Sequence, residues 1–136
     1  MPRVRPHSLS LLLSRDLASN IATPIFLVDV NGDLIFYNEA AEAVLGRTFS
    51  ETGLLTRDEW GSMFSPVDED GKPVAVDDLP LALALTHGRP AHAPLRITGS
   101  DGVIRWIEVT AVPLYATQDE VVGAIAIFWE HHGIGN

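Results

Sequence analysis

Five histidines (His7, His87, His92, His131 and His132) and an acidic cluster of Asp68, Glu69, Asp70, Asp77 and Asp78 around Gly71 are the side chains here that could bind a metal or move a proton. A calcium loop of the EF-hand kind places oxygen ligands at alternate positions ahead of its glycine, and the first of those positions is Pro66, which has no side-chain oxygen. The acids are therefore read as turn and cap residues. Asp70-Gly71 makes a turn, and Asp77 or Asp78 caps the helix that follows. His131 and His132 are adjacent, and neighbours on a strand point to opposite faces, so they make a poor chelating pair. His87 stands in Thr86-His87-Gly88, a helix-ending sequence in which the helix dipole favours a cation. No metal site is expected.

Covalent chemistry fares no better. The absence of cysteine excludes a disulfide scaffold, cysteine-ligated zinc, an iron–sulfur cluster, a thiol nucleophile and a chromophore held through sulfur. There is no Gly-x-Ser-x-Gly elbow, no phosphate loop, no two-histidine metal helix and no evident close pair of carboxylates. Serine, histidine and aspartate occur, but without the spacing of a triad. Lone carboxylates such as Glu108 are read as solvated or paired, and no enzyme activity is expected.

The 136 residues and 14.8 kDa suit one domain, and 46% apolar against 20% charged residues, with a mean hydropathy of +0.16, suit a folded one. Nine basic against 18 acidic residues give a net charge of −9, which repels phosphates and argues against nucleic acid and anionic lipid. The first 15 residues differ, carrying Arg3, Arg5 and Arg15 and no acid. Arg3 and Arg5 precede apolar Leu9 to Leu13, but that run is short and is closed by Arg15 and Asp16, so no export signal is read. No apolar stretch approaches the roughly 20 residues of a membrane span. A cytoplasmic location is expected.

The elements that would position these residues follow from periodicity. Leu9, Leu13 and Leu17, joined by Leu12 and Ile21, stripe a helix from about Ser8 to Asn20. Thr23-Pro24 breaks it, and residues 24–37 place two β-branched and aromatic runs around Asn31-Gly32, a hairpin. Asn38 caps a helix over Glu39 to Leu45 that Gly46 stops. Residues 47–78 anchor Trp60, Met63 and Phe64 among glycines and prolines, which predicts short helical turns and loops. Leu79 to Leu85 reads as a helix ended by Gly88. Ala93 to Thr98, Val103 to Tyr115 and Val121 to Trp129 then form an antiparallel meander. In the second strand Ile107, Val109 and Ala111 share one face, and Trp106, Glu108 and Thr110 the other. In the third, both faces are apolar: Gly123, Ile125 and Ile127 are assigned inward, and Val122, Ala124, Ala126 and Phe128 outward.

This order of hairpin, short helices, buried helix and meander, from about Leu17 to Trp129, resembles the PAS sensor-domain family. The resemblance is carried by residues 24–46 (PIFLVDVNGDLIFYNEAAEAVLG), 68–90 (DEDGKPVAVDDLPLALALTHGRP), 100–114 (SDGVIRWIEVTAVPL) and 121–130 (VVGAIAIFWE). It implies an α+β fold: a five-stranded antiparallel sheet, short helices on one face enclosing a pocket, and an N-terminal helix against the other. It divides the chain into an N-terminal helix (residues 1–22), a PAS domain (23–130) and a tail (131–136). It implies a pocket lined by Phe26, Val28, Leu95, Ile97, Ile107, Val109, Gly123, Ile125 and Ile127, with Leu83 from the buried helix. Such a lining suits an acyl chain or other small apolar molecule, or packs shut. Family members that bind haem take a ligand from the same helix, which makes His87 a candidate, although their ligand lies deeper in it. Flavin binding needs a cysteine motif and polar groups that this pocket lacks. No cofactor is expected.

Family members usually serve an attached kinase, cyclase or transcription module through an Asp-Ile-Thr element after the last strand. Here that position reads WEHHGIGN, so the chain is expected to be an excised module or one that signals to a separate protein, such as a kinase or transcription regulator. The main reading is a regulatory sensor that binds a small apolar ligand or a protein partner. The alternatives are a small α+β-cone enzyme using Glu108 on an apolar substrate and a purely structural dimerisation adaptor. A homodimer is expected, with Leu9, Leu13 and Leu17 burying the outer sheet patch of Trp106, Val122, Ala124, Ala126 and Phe128.

Overall fold

The computed structural model describes residues 23–99 and 101–130. Five strands, β1 (Ile25–Asp29), β2 (Leu34–Tyr37), β3 (Ala91–Thr98), β4 (Ile104–Thr117) and β5 (Glu120–Glu130), form one antiparallel sheet in the order β2-β1-β5-β4-β3. Four short helices, α1 (Glu39–Leu45), α2 (Phe49–Thr52), α3 (Arg57–Met63) and α4 (Pro80–His87), lie between β2 and β3. The expected N-terminal helix, with Leu9, Leu13 and Leu17, and the tail with His131 and His132 lie outside the described residues.

The hairpin closes where its turn residues put it. The Asp29 carboxylate accepts from the Asn31 and Asp33 N–H groups at 3.0 and 3.1 Å, and Gly32 takes φ +85°, which a side chain would resist. The register then slips, pairing Leu27 with Phe36 but Val28 with Leu34. Ile35 is the extra residue, and it packs with Leu27 on the outer side of the sheet.

Asn38 is the one buried polar side chain of the described core. Its Oδ1 accepts from Ala41 N–H, capping α1, and from Ile25 N–H, both at 3.0 Å, while its amide donates to the Thr23 carbonyl at 2.8 Å. One side chain thereby fixes a helix start and the first strand together. Thr48 with Glu51 and Thr56 with Glu59 form capping boxes that start α2 and α3.

The expected cap of α4 is corrected. Val76–Asp78 forms a 3-10 turn, so Asp77 and Asp78 fall too early; Leu79 occupies the cap position without a side-chain bond, and Pro80 begins the helix with the fixed φ that suits a first turn. Asp77 instead pairs with Arg57.

The sheet edges are met by the chain itself. Leu34 and Leu55 exchange backbone bonds of 2.7 and 3.2 Å beside β2, and Val67 and Arg96 exchange bonds of 3.0 and 2.9 Å beside β3. The core lies between the helices and the inner sheet face.

The facing of β5 is also corrected. Val109 pairs with Phe128, Ala111 with Ala126, Phe26 with Ala126 and Val28 with Ala124, and directly paired residues share a face. Ala124, Ala126 and Phe128 therefore point into the core, where all three are buried, and Ile125 and Ile127 point outward. Both faces of this strand are apolar, so alternation alone could not choose between them.

Candidate ligand cavity and outer sheet face

A cavity of about 70 Å³ lies between the inner sheet face and the helices. Phe26, Leu95, Ile97, Ile107 and Val109, all expected to line a pocket, meet around it. Val28 is fully buried in the same core but away from the cavity. Ile125 and Ile127 are excluded by the facing of β5, and Gly123 shares their parity. Leu83 is displaced because residues two apart on a helix do not share a face; α4 presents Leu81, next to Leu79 and Pro80, and leaves Leu83 half-buried.

Sequence reasoning missed the other side of the cavity. Leu45 closes it from the end of α1, Trp60 from α3, and Phe64 and Pro66 from the segment that follows, with Ala126 and Phe128 from β5. Trp60 and Phe64, four apart, carried a usable signal as apolar anchors on one helix face. The Trp60 indole is held by its N–H donating to the Gly32 carbonyl at 2.7 Å. Phe26 lines the cavity edge-on to Phe128 at 5.4 Å and to Trp60 at 6.4 Å between ring centroids. Every lining residue is apolar, so the cavity offers neither a side-chain ligand for a metal nor a carboxylate for acid–base chemistry. His87 is exposed at the end of α4 and is not among the lining residues. Among the described residues, no group of three metal-ligating side chains comes together, and no helix is long and apolar enough to cross a membrane.

The outer sheet face has a different chemistry. Trp106, Ile127 and Trp129 are exposed there, at 37%, 38% and 45%. The Arg96 guanidinium lies 5.7 Å from the Trp106 ring, a cation–π contact. His92 bridges β3 to β4, with Nδ1 2.8 Å from the Thr110 hydroxyl and Nε2 2.9 Å from the Glu108 carboxylate, and its ring lies 6.4 Å from that of Trp129. Glu108 thus sits on the sheet face opposite the cavity. Toward β1, Leu27 and Ile35 are buried, with Phe36, Leu114, Val122 and Ile125 packed around them.

At one rim of the sheet, Arg105 joins three elements. It donates to the Val44 carbonyl of α1 at 2.8 Å and pairs with Asp101 at 3.6 Å and with Glu130, at the end of β5, at 3.8 Å. The Val103 N–H, donating to the Asp101 carboxylate, and the Arg105 charge hold that carboxyl below its usual range. Burial raises the Tyr37 phenol, whose hydroxyl donates to the Arg47 carbonyl at 2.9 Å.

This sheet order, with helices on one face around an apolar cavity, defines an α+β domain with one covered sheet face. A family model described as "PAS domain" matches residues 22–129, and the chain belongs to the PAS family. Solved structures with the same fold include the PAS domain of Bordetella pertussis BvgS, at 19% identity and a TM-score of 0.61, covering 90% of this chain and 86% of that one. The Rhodobacter sphaeroides LOV protein matches at 18% identity and a TM-score of 0.69, covering 90% of this chain and 67% of that one. The LOV domain of a blue-light activated histidine kinase from Erythrobacter litoralis matches at 18% identity and a TM-score of 0.62, covering 82% and 97%. No curated protein matches the sequence. PAS domains are typically sensory and signalling modules.

Proposed function

We propose that this PAS domain is a regulatory sensor that works through protein contacts on its outer sheet face, and that its cavity admits at most a small apolar molecule. The observation that carries this reading is the pair of exposed tryptophans, Trp106 and Trp129, set with Ile127 on one face of the sheet. Tryptophan is a favoured anchor of protein interfaces, and contiguous apolar surface of this kind marks a contact site. The cavity is small by comparison. At about 70 Å³ it holds the volume of about two water molecules, against the roughly 300 to 1,000 Å³ of typical ligand pockets. A haem or a flavin does not fit that volume, and the lining has no group to ligate or hydrogen-bond one.

The occupant we assign to the outer face is a second copy of the chain, whose residues 1–22 bring Leu9, Leu13 and Leu17. Burying several leucines, at roughly 1.5 to 3 kcal/mol each, is enough to hold a dimer after the cost of association. The signal passes through that dimer or to a separate kinase or transcription regulator. The net charge of −9 argues against nucleic acid or membrane as the partner and is compatible with a cytoplasmic setting. No catalysis is assigned.

Native mass spectrometry, an absorption scan and sedimentation of freshly purified protein test this together. The expected result is a dimer, colourless above the aromatic band, that dissociates when Leu13 and Leu17 are changed to Glu. A monomer at high micromolar concentration overturns the docking reading, and a stoichiometric Soret or flavin spectrum overturns the cavity reading.

A further inference from the structure

Pro66 lines the inner cavity and also a larger groove at the surface, of about 560 Å³, between α3 and residues 66–76. Gly61 shapes its base: a Cβ there would meet the Val76 side chain at 2.5 Å, so the glycine lets α3 close on residue 76. Val67, Pro73 and Val74 continue the apolar wall, and Asp58 is the one charged residue in the lining. Pro73 and Val74 also line a neighbouring hollow, together with Asp68, Glu69 and Asp78. Residues 57–78 hold seven acidic side chains against two basic ones, and of those two Arg57 is paired with Asp77. An apolar groove set in this excess of negative charge suits an occupant that is both apolar and basic.

The chain carries such a segment outside the described residues. Residues 1–7 read MPRVRPH, in which Pro2, Val4 and Pro6 alternate with Arg3 and Arg5 and no acid occurs. On extended backbone alternate side chains face opposite ways, so the three apolar residues can enter a groove while both arginines turn to the acids beside it. Pro6 biases Arg5 toward that backbone. The reach is sufficient. Val67 pairs with Arg96 of β3, and Arg96 with Trp106 of β4, so the groove wall begins two strand spacings, about 10 Å, from Trp106. Seven extended residues span about 23 Å.

We propose that residues 1–7 dock in the groove between α3 and residues 66–76, on the copy whose outer sheet face takes Leu9, Leu13 and Leu17. The source is the second copy, an inference that rests on the contact proposed above. The leucines supply apolar burial, and the arginines fix the direction in which the segment crosses the sheet.

The chain has no cysteine, so an introduced pair forms the sole disulfide. The test is oxidation of the full chain carrying Val4→Cys with Val74→Cys, or with Ala75→Cys at an exposed position of the same groove. Val4→Cys with Val30→Cys, at the exposed turn between β1 and β2, is the control. Both groove pairs are expected to crosslink at least about tenfold faster than the control and to give a band of twice the chain mass on a non-reducing gel. Arg3→Glu with Arg5→Glu should slow the groove crosslink roughly three- to tenfold. Raising the ionic strength from about 0.05 to about 0.5 M should slow it only where the arginines are present. Groove pairs no faster than the control refute the docking, and a rate unmoved by charge reversal refutes the part given to the arginines. A fast groove crosslink within single chains keeps the groove as the dock and refutes the second copy as the source.

Discussion

Replacing Ala126 with valine adds two methyl groups to the wall of the inner cavity. Ala126 lines that space from the middle of β5, paired with Phe26 on one side and with the small Ala111 on the other, so there is lateral room for a branched side chain. The stabilisation can be worked out in two ways. An unfilled cavity costs about 24 cal/mol per Å³, so filling about 70 Å³ completely recovers about 1.7 kcal/mol. Two newly buried methyl groups at about 0.8 kcal/mol each give about 1.6 kcal/mol. The expected gain is therefore about 1 to 1.7 kcal/mol, less where the methyl groups do not reach all of the space. Urea denaturation reads it as a rise in midpoint with an unchanged slope, about 0.5 to 1 M for a slope in the usual range for small domains. A loss of 1 kcal/mol or more, the signature of overpacking, would refute the position of the cavity beside Ala126.

Changing Asn38 to Ala removes the cap of α1 and strands the buried Ile25 N–H, so equilibrium unfolding should register a loss of roughly 2 to 4 kcal/mol, while Asn38→Asp, which keeps both accepted bonds, should lose less; equal losses in the two variants would contradict this. Asp101 has a folded-state pKa below its unfolded value, so its contribution is complete above the unfolded carboxylate range and disappears as pH falls through the folded value. Asp101→Asn should accordingly flatten the acid side of a stability-versus-pH curve, and an unaltered acid limb would show that the Val103 and Arg105 contacts do not stabilise the fold.

Much of this fold is legible in local chemistry. The hairpin at Asn31-Gly32, the Asn38 cap and the Gly46 stop are each set by a few adjacent residues whose backbone preferences agree, and the structure has all three where the sequence places them. The end of α4 at Gly88 is of the same kind. The failures occur where two local solutions are equally good. Alternation in residues 121–129 gives two apolar faces, and the choice between them is made by pairing with β1 and β4, far away in sequence. The same wrong phase placed Ile125 and Ile127 in the pocket and Phe128 outside it. Asp77 and Asp78 have the right chemistry for a cap, but a 3-10 turn intervenes and Pro80 begins the helix without one. The cavity wall from Leu45, Trp60 and Phe64 was hidden for another reason: loops set the positions of α1 and α3, so the four-residue spacing of Trp60 and Phe64 marks an apolar face without saying what that face packs against.

The backbone bonds beside β2 and β3 limit how copies of this domain can meet. Leu55 and Val67 occupy hydrogen-bonding positions that an incoming strand would need, and Pro94 withholds an N–H within the edge strand β3. Growth by adding strand to strand, the route to open-ended fibres, is obstructed at both margins. Copies are left to meet through faces, and a face that matches its own copy about a two-fold axis is used up once the pair has formed. The geometry thus favours assemblies that stop at a defined size, even with tryptophans left in water.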